Sequence, residues 1–192
     1  MIMWCDHRAA DRLRRSDSPA VARVVRGSGG HLSHELDVPK LIWLNETYGA
    51  AWMERVGLAL ELVYFLTLKC TSALERSMNS LSCKFLYQPS PAGPGWDVGF
   101  YRAIGLETLL ENDAARIGAG AQYPGDTLGT GVTAAATHEL GLAPGTAVAT
   151  SLIDADAGYL GSILCREGDQ AQRSAEDRAS ARRAMGARVA LI

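Results

Sequence analysis

The sequence predicts an α/β fold, chiefly because a helix and then a buried strand are expected between residues 133 and 153. Thr133 is typical of a helix N-cap, residues 134–140 have helical composition, and Gly141 is typical of a helix end. After a turn, the apolar run AVATSLI (147–153) predicts an extended, buried strand. Acids follow at once in SLIDADAGYLG (151–161), and ligands of α/β proteins gather beyond the carboxyl ends of strands. We therefore expect a functional site at this strand end.

Composition is that of a globular protein with one domain or a little more. The chain has 192 residues, of which 47% are hydrophobic and 21% charged, so it can bury a substantial core. A net charge of −2, without a basic stripe, argues against nucleic acid as a partner. The longest apolar run, residues 56–68, contains Glu61 and is shorter than the roughly 20 residues of a membrane span. We therefore expect no membrane partner either.

The cysteines and histidines favour a reduced, metal-free protein. The four cysteines have no C-x-x-C spacing, and no secretory leader is recognisable, so we expect free thiols and a cytoplasmic location. His31 and His34 have the spacing of metal ligands, but a histidine pair without distant partners is more typical of a surface or a core. The run GSGG (27–30) is interpreted as a turn, because neither a strand before it nor a G-K-[ST] sequence after it supports a phosphate loop.

Four elements are predicted before residue 70. The opening MIMW reads as the end of a strand, and residues 9–26 as a helix that Pro19 interrupts. A short amphipathic helix is expected over residues 39–48, with proline in its first turn. Residues 50–68 are strongly apolar and predict a buried helix.

The middle of the chain is expected to contain two short helices. The sequence leaves residues 77–87 ambiguous, whereas three prolines and two glycines predict a loop at 88–96. Helices are then expected at 97–104 and 106–113, divided by Gly105.

Several motifs in unbroken order resemble segments of the FGGY family of carbohydrate kinases, in particular its ribulokinase-like branch. They are MWCDHRA (3–9), GGHLSHELDVPKLIWL (29–44), SLSCKFLY (80–87), GWDVGFYRAIGLETLLENDAARIG (95–118) and LGTGVTAAATHELGLAPGTAVATSLIDADAGYLG (128–161). The resemblance implies an actin-like, ribonuclease-H-like ATPase fold. Residues 1–164 would be an incomplete N-terminal, sugar-binding domain, and residues 165–192 a charged, Arg/Ala-rich tail outside the family pattern.

The same resemblance implies ATP-dependent phosphorylation of a ketopentose similar to D-ribulose, with ATP and Mg²⁺ as cofactors of the full-length enzyme and a small sugar as partner. Asp154 matches the catalytic base, which would take the proton of the sugar hydroxyl. Without the resemblance, Asp154 could equally cap the following helix. Asp156 is not expected to act, since the branch commonly carries histidine there.

Four further residues match sugar-binding positions of the family. Lys84 would donate hydrogen bonds to sugar oxygens, and its alternative is an ordinary exposed lysine on a strand. Glu35 would accept from hydroxyls, or be a surface carboxylate beside a helix start. Trp4 would pack on the carbon face of the sugar, or belong to the core. Asp6 is the fourth, and with Arg8 it could simply brace the loop.

The sequence also departs from the family pattern. Neither a D-x-G-T loop nor a G-G-G-S segment occurs, so we predict no cofactor-binding or metal-binding residues in this stretch and little or no kinase activity by itself. LELVYFLT (60–67) replaces the branch's F-D-L-P-D-F-L-T. Two other functions stay open: a sugar-binding module without phosphoryl transfer, and an unrelated dinucleotide-dependent enzyme, although no G-x-G-x-x-G follows a predicted strand.

Overall fold

The computed structural model describes residues 1–10, 12, 17–88, 95–118 and 120–164. The predicted tail, residues 165–192, lies outside the described residues, as does most of the predicted loop at 88–96.

The described residues are largely helical. The helices are α1 (Pro19–Gly27), α2 (Asp37–Tyr48), α3 (Ala50–Glu54), α4 (Leu62–Thr71), α5 (Met78–Phe85), α6 (Val98–Ala103), α7 (Glu111–Ala114), α8 (Ala134–Leu140) and α9 (Asp154–Leu164), with 3-10 turns at His7–Ala9 and Glu107–Leu110. Two short strands, β1 (Arg76–Ser77) and β2 (Ala121–Gln122), pair in parallel, with Arg76 opposite Ala121.

The core lies between α1, α2, α5, α6 and the segment that follows α6. Its most completely buried apolar residues are Val21, Val38, Leu81, Phe85, Phe100, Tyr101, Leu106, Leu109 and Ile117. The hydroxyl of Tyr101 donates to the Phe85 carbonyl at 2.7 Å, so the buried polar atom is satisfied. Helix α5 is thereby fixed against α6, and its opposite face is left to carry polar residues.

The predicted helix after Thr133 is confirmed, but the strand after it is wrong. Thr133 Oγ1 accepts from the Ala136 N–H at 3.2 Å, and Gly141 ends α8 in the left-handed conformation. Residues 147–153 form only an isolated antiparallel bridge, Thr127 to Ala149, and Ala149 is exposed. The partner segment includes Gly129 and Gly131, both with positive φ, so a regular ladder is interrupted there.

Other elements differ in their bounds from the prediction. MIMW is not a strand, and a turn occupies residues 4–5. Pro19 starts α1 instead of interrupting a helix, since its fixed φ suits the first helical position. The block 50–68 divides into α3 and α4, separated by an irregular stretch that ends at Glu61. The predicted division at Gly105 is confirmed, with φ of +73° at that residue.

The α/β prediction is only partly reproduced. Within the described ranges, the two parallel strands are two residues long each, and they do not form the multi-stranded sheet expected of an actin-like domain. In the same ranges, no helix combines the length and the apolar character needed to cross a lipid bilayer.

Candidate functional site

Helix α5 carries a run of polar residues on one face. The three- and four-residue spacing that places side chains on the same side of a helix relates four of them: Asn79, Ser80, Cys83 and Lys84. Ser80 and Asn79 are buried, and Lys84 is half-buried. Lys84 therefore does not lie on an exposed strand, which was the alternative interpretation of this residue.

Asp154 lies at the first position of helix α9, not at the end of a strand. The Ile153 carbonyl accepts from the Ala157 N–H at 2.9 Å, so Ile153 is the N-cap residue and Asp154 begins the helix. The alternative in which Asp154 itself caps the helix is therefore wrong. Asp154 is exposed, and within the described part of the chain its carboxylate has no hydrogen bond or ion pair.

Asn79 connects α5 to the first turn of α9. Its Oδ1 accepts from the Ile153 N–H at 2.9 Å, and its Nδ2 donates to Asp156 Oδ2 at 2.5 Å. These two bonds bring the start of α9 to the face of α5 that also carries Lys84.

Two carboxyl groups lie within electrostatic reach of Lys84. Asp37 is the first residue of α2, and Glu61 directly precedes α4. Burial raises the pKa of Glu61 to about 7; the hydroxyl of Ser80 donates to Glu61 Oε2 and opposes that rise, whereas the Asp37 charge adds to it. Burial also raises the pKa of Asp37, against the opposing charges of Lys40, Lys84 and Arg76. The second oxygen of Glu61, Oε1, is buried and has no hydrogen-bond partner in the part of the chain that the structure describes.

Arg76 supplies buried positive charge beside these acids. Its Nη1 donates to the Ala59 carbonyl at 2.9 Å, and its guanidinium lies 5.1 Å from the centre of the Tyr64 ring. Burial lowers its pKa to about 10. Tyr64 donates to the Ser77 carbonyl at 2.8 Å, and burial raises its pKa. The acids are therefore balanced by a cation that is itself fixed by the backbone.

The N-terminal residues of the predicted site form a second group. Asp6 is bonded to the Arg8 guanidinium and backbone N–H, and these bonds lower the pKa of Asp6 to about 2. The loop is thus braced by this pair, as the alternative for Asp6 expected. Trp4 is 63% exposed, so it does not belong to the core among the described residues. The rings of His7 and His34 lie 4.2 Å apart and join this loop to the segment before α2.

Lys40 links the second group to the acids near Lys84. Its Nζ donates to the backbone carbonyl of Glu35 at 3.1 Å, while the Glu35 side chain is exposed. The Lys40 charge acts on both Asp6 and Asp37. The roles assigned to these residues stay predictions.

The two groups differ in how the sequence could have revealed them. Family motifs indicate Lys84, Glu35 and Trp4. They give no indication of Asn79, Asp37 or Arg76. The available signal is Glu61, an acid in an otherwise apolar run, which stands where the family pattern also carries an acid. Its neighbours Asp37, Arg76 and Asn79 could not be recognised from the sequence, because they lie on separate elements of the chain.

The donor set for a metal ion is lacking in the described ranges. No group of three or more His, Cys, Asp or Glu side chains converges there.

Comparison with known proteins finds relatives that carry one family name. No protein-family model matches it. It is 44% identical over 163 residues to an FGGY carbohydrate kinase domain-containing protein of Danio rerio and 42% identical over 163 residues to one of Homo sapiens, in each case over 85% of this chain. It is 29% identical over 174 residues, 86% of this chain, to a D-ribulokinase of Saccharomyces cerevisiae.

The chain spans 29% of the length of the Danio rerio and Homo sapiens relatives and 24% of the yeast one. The relationship extends over most of the chain at an identity above 40%. It supports an actin-like ATPase domain as the fold to which these residues contribute. The resemblance predicted from the motifs is thus confirmed: the chain is related to a part of the FGGY carbohydrate kinases.

Proposed function

We propose that these residues contribute the sugar-binding part of a kinase that phosphorylates a ketopentose similar to D-ribulose. The family relationship supports a carbohydrate kinase, and the yeast relative is named a D-ribulokinase. The observation that carries the proposal is the carboxylate of Asp154, which is exposed at the start of a helix and engaged by no group of the described residues.

Asp154 is suited to accept a proton from a sugar hydroxyl. Phosphoryl transfer demands an aligned acceptor oxygen and a group that takes its proton, and a short side chain on a helix end can be aimed at one oxygen. The hydroxyl proton would pass to the Asp154 carboxylate as the hydroxyl oxygen bonds to the γ-phosphorus of ATP, while the bond from that phosphorus to the bridging oxygen breaks and ADP leaves with its electron pair. We assign ATP, which supplies the phosphoryl group, and Mg²⁺ to other parts of the longer protein.

Lys84 is proposed to bind sugar oxygens. An ammonium group has three donors, and Lys84 also interacts electrostatically with Asp37 and Glu61. Glu61 Oε1 has no hydrogen-bond partner among the described residues but is buried, so we do not assign it a contact with the sugar.

The N-terminal group is proposed to line the outer side of the sugar. The exposed indole of Trp4 offers an apolar face to sugar carbons, and the exposed carboxylate of Glu35 can accept from two hydroxyls. Asp6 is saturated by Arg8, so its contribution is to fix the loop that presents Trp4.

Binding of D-ribulose to the 192-residue chain tests the proposal. A ligand that binds only the folded state raises the melting temperature, and calorimetry gives its dissociation constant. We expect D-ribulose to stabilise the wild type, and Asp154→Asn and Lys84→Ala each to weaken binding about tenfold or more, as loss of a hydrogen bond to a charged group does. Exposed controls are Asp17→Asn and Lys69→Ala, which should leave binding unchanged. Absence of stabilisation at millimolar sugar would contradict the proposal.

A sugar-binding module without phosphoryl transfer is the second candidate. It would use the same sugar-binding residues, without proton transfer to Asp154. ATP-dependent phosphorylation of D-ribulose by a longer protein that includes this chain would exclude it. We further propose a cytoplasmic location, because Cys5, Cys70 and Cys83 are free thiols.

A further inference from the structure

One side chain, that of Asn79, joins the first turn of α9 to the face of α5. It bonds to Ile153 and Asp156, which are 74 and 77 residues further along the chain. The orientation of the amide follows from its partners, because a backbone N–H can only donate and an ionised carboxylate can only accept. Asn79 is 5% exposed, so water competes little for either bond.

The arrangement completes a capping box across two helices. In a capping box, the side chain at the third helical position reaches back to the N–H of the N-cap residue. Ile153 is the N-cap of α9 and Asp156 is its third residue, but the Asp156 side chain does not reach the Ile153 N–H itself. The Asn79 side chain lies between the two, accepting from the Ile153 N–H and donating to the Asp156 carboxylate. The two anchored residues flank Asp154.

We propose that Asn79 is the positioning residue for Asp154. Because the Asp154 carboxylate has no partner among the described residues, its direction depends on the backbone of Ile153 and on the first turn of α9. Asn79 fixes both, and it does so from the helix that carries Lys84. One rigid helix thereby sets the proton acceptor and the sugar-binding cation relative to each other. This inference rests on the proposed function, since only a sugar makes the direction of Asp154 matter.

Exchanging the two side chains gives a sharp test. Asn79→Asp keeps the acceptor for Ile153 but replaces the donor with a carboxylate that faces Asp156. In the double variant Asn79→Asp/Asp156→Asn, the new amide at 156 donates to the carboxylate at 79, and both bonds are restored without a change in net charge. The matched control is Asn45→Asp, which removes the donor that Asn45 directs at the Gly105 carbonyl, 3.2 Å away.

Two measurements are made at neutral pH and well below the melting temperature of every variant: hydrogen exchange of the Ile153 amide, and the dissociation constant for D-ribulose. We expect Asn79→Asp to speed exchange at Ile153 about tenfold and to weaken sugar binding by a similar factor. The double variant should recover both values to within about twofold. Asn45→Asp should leave both unchanged, even if it lowers the melting temperature.

The two readouts separate this inference from the proposed function. If wild type binds no sugar but Asn79→Asp still deprotects Ile153, the proposed function fails and the connection between the helices is supported. Unchanged exchange at Ile153 in Asn79→Asp, or a double variant as impaired as the single one, would overturn the inference. A variant whose Ile153 amide has lost its protection from hydrogen exchange but that binds D-ribulose with normal affinity would also overturn the inference.

Discussion

Replacing Glu61 by Gln should change how the stability of the protein depends on pH. Glu61 directly precedes α4; one of its carboxyl oxygens is bonded to Ser80, and the other is buried with no partner among the described residues. Burial and the nearby charge of Asp37 raise its pKa to about 7. Gln resembles the protonated carboxyl in shape and carries no charge at any pH, so it removes this titration and little else.

The sign follows from proton uptake in the two states. Below pH 4.5 the carboxyl is protonated in both the folded and the unfolded chain. As pH rises towards 7, the unfolded chain releases the proton while the folded one retains it, so the free energy of unfolding falls. An interval from 4.5 to about 7 corresponds to about 3 kcal/mol at 1.36 kcal/mol for each pH unit. That stability is fully present below pH 4.5 and lost by about pH 7.

Urea unfolding at several pH values between 4 and 8 measures the effect. The difference in unfolding free energy between Glu61→Gln and wild type should increase by about 3 kcal/mol, in favour of the variant, across this range. Glu54→Gln makes the same change at an exposed residue and should give a nearly constant difference. Parallel curves for wild type and Glu61→Gln would show that Glu61 is solvated, and would refute the buried acid cluster.

Two further substitutions test the fold around α8. Gly131→Ala should lower the free energy of unfolding by on the order of 2 kcal/mol more than Gly125→Ala. Both residues have positive φ, but the added Cβ at 131 would lie 2.4 Å from the Thr146 carbonyl oxygen, whereas that at 125 meets nothing within 4 Å. Equal losses in urea unfolding would contradict this packing. Thr133→Ala should lower the free energy of unfolding by about 1 kcal/mol, because it removes the cap on the Ala136 N–H, whereas Thr133→Ser should retain most of this stability. A Thr133→Ser variant as unstable as Thr133→Ala would argue against capping.

Elements governed by local chemistry could be predicted from the sequence. Thr133 and Gly141 delimit α8 because a side-chain acceptor and a left-handed residue satisfy helix ends from within a few positions. Gly105 divides the helical segment around it for the same local reason. The order of motifs along the chain was enough to identify the family, since it requires no knowledge of packing.

Elements governed by distant neighbours were predicted poorly. Residues 147–153 have the composition of a buried strand, but whether such a run pairs depends on the segment beside it, here one that contains Gly129 and Gly131. The apolar block 50–68 likewise predicts one helix. In the structure it is divided into α3 and α4 by a stretch that ends at Glu61, whose carboxylate accepts from the distant Ser80 hydroxyl.

The sequence by itself determined the family, the local helix signals and the identity of Asp154 and Lys84 as candidates. Only the tertiary structure decided that Asn79 connects the start of α9 to α5, and that Asp37 and Glu61 lie near Lys84. The reason is physical: hydrogen bonds and charges act over a few ångströms, and the residues that they join here are separated by dozens of positions along the chain.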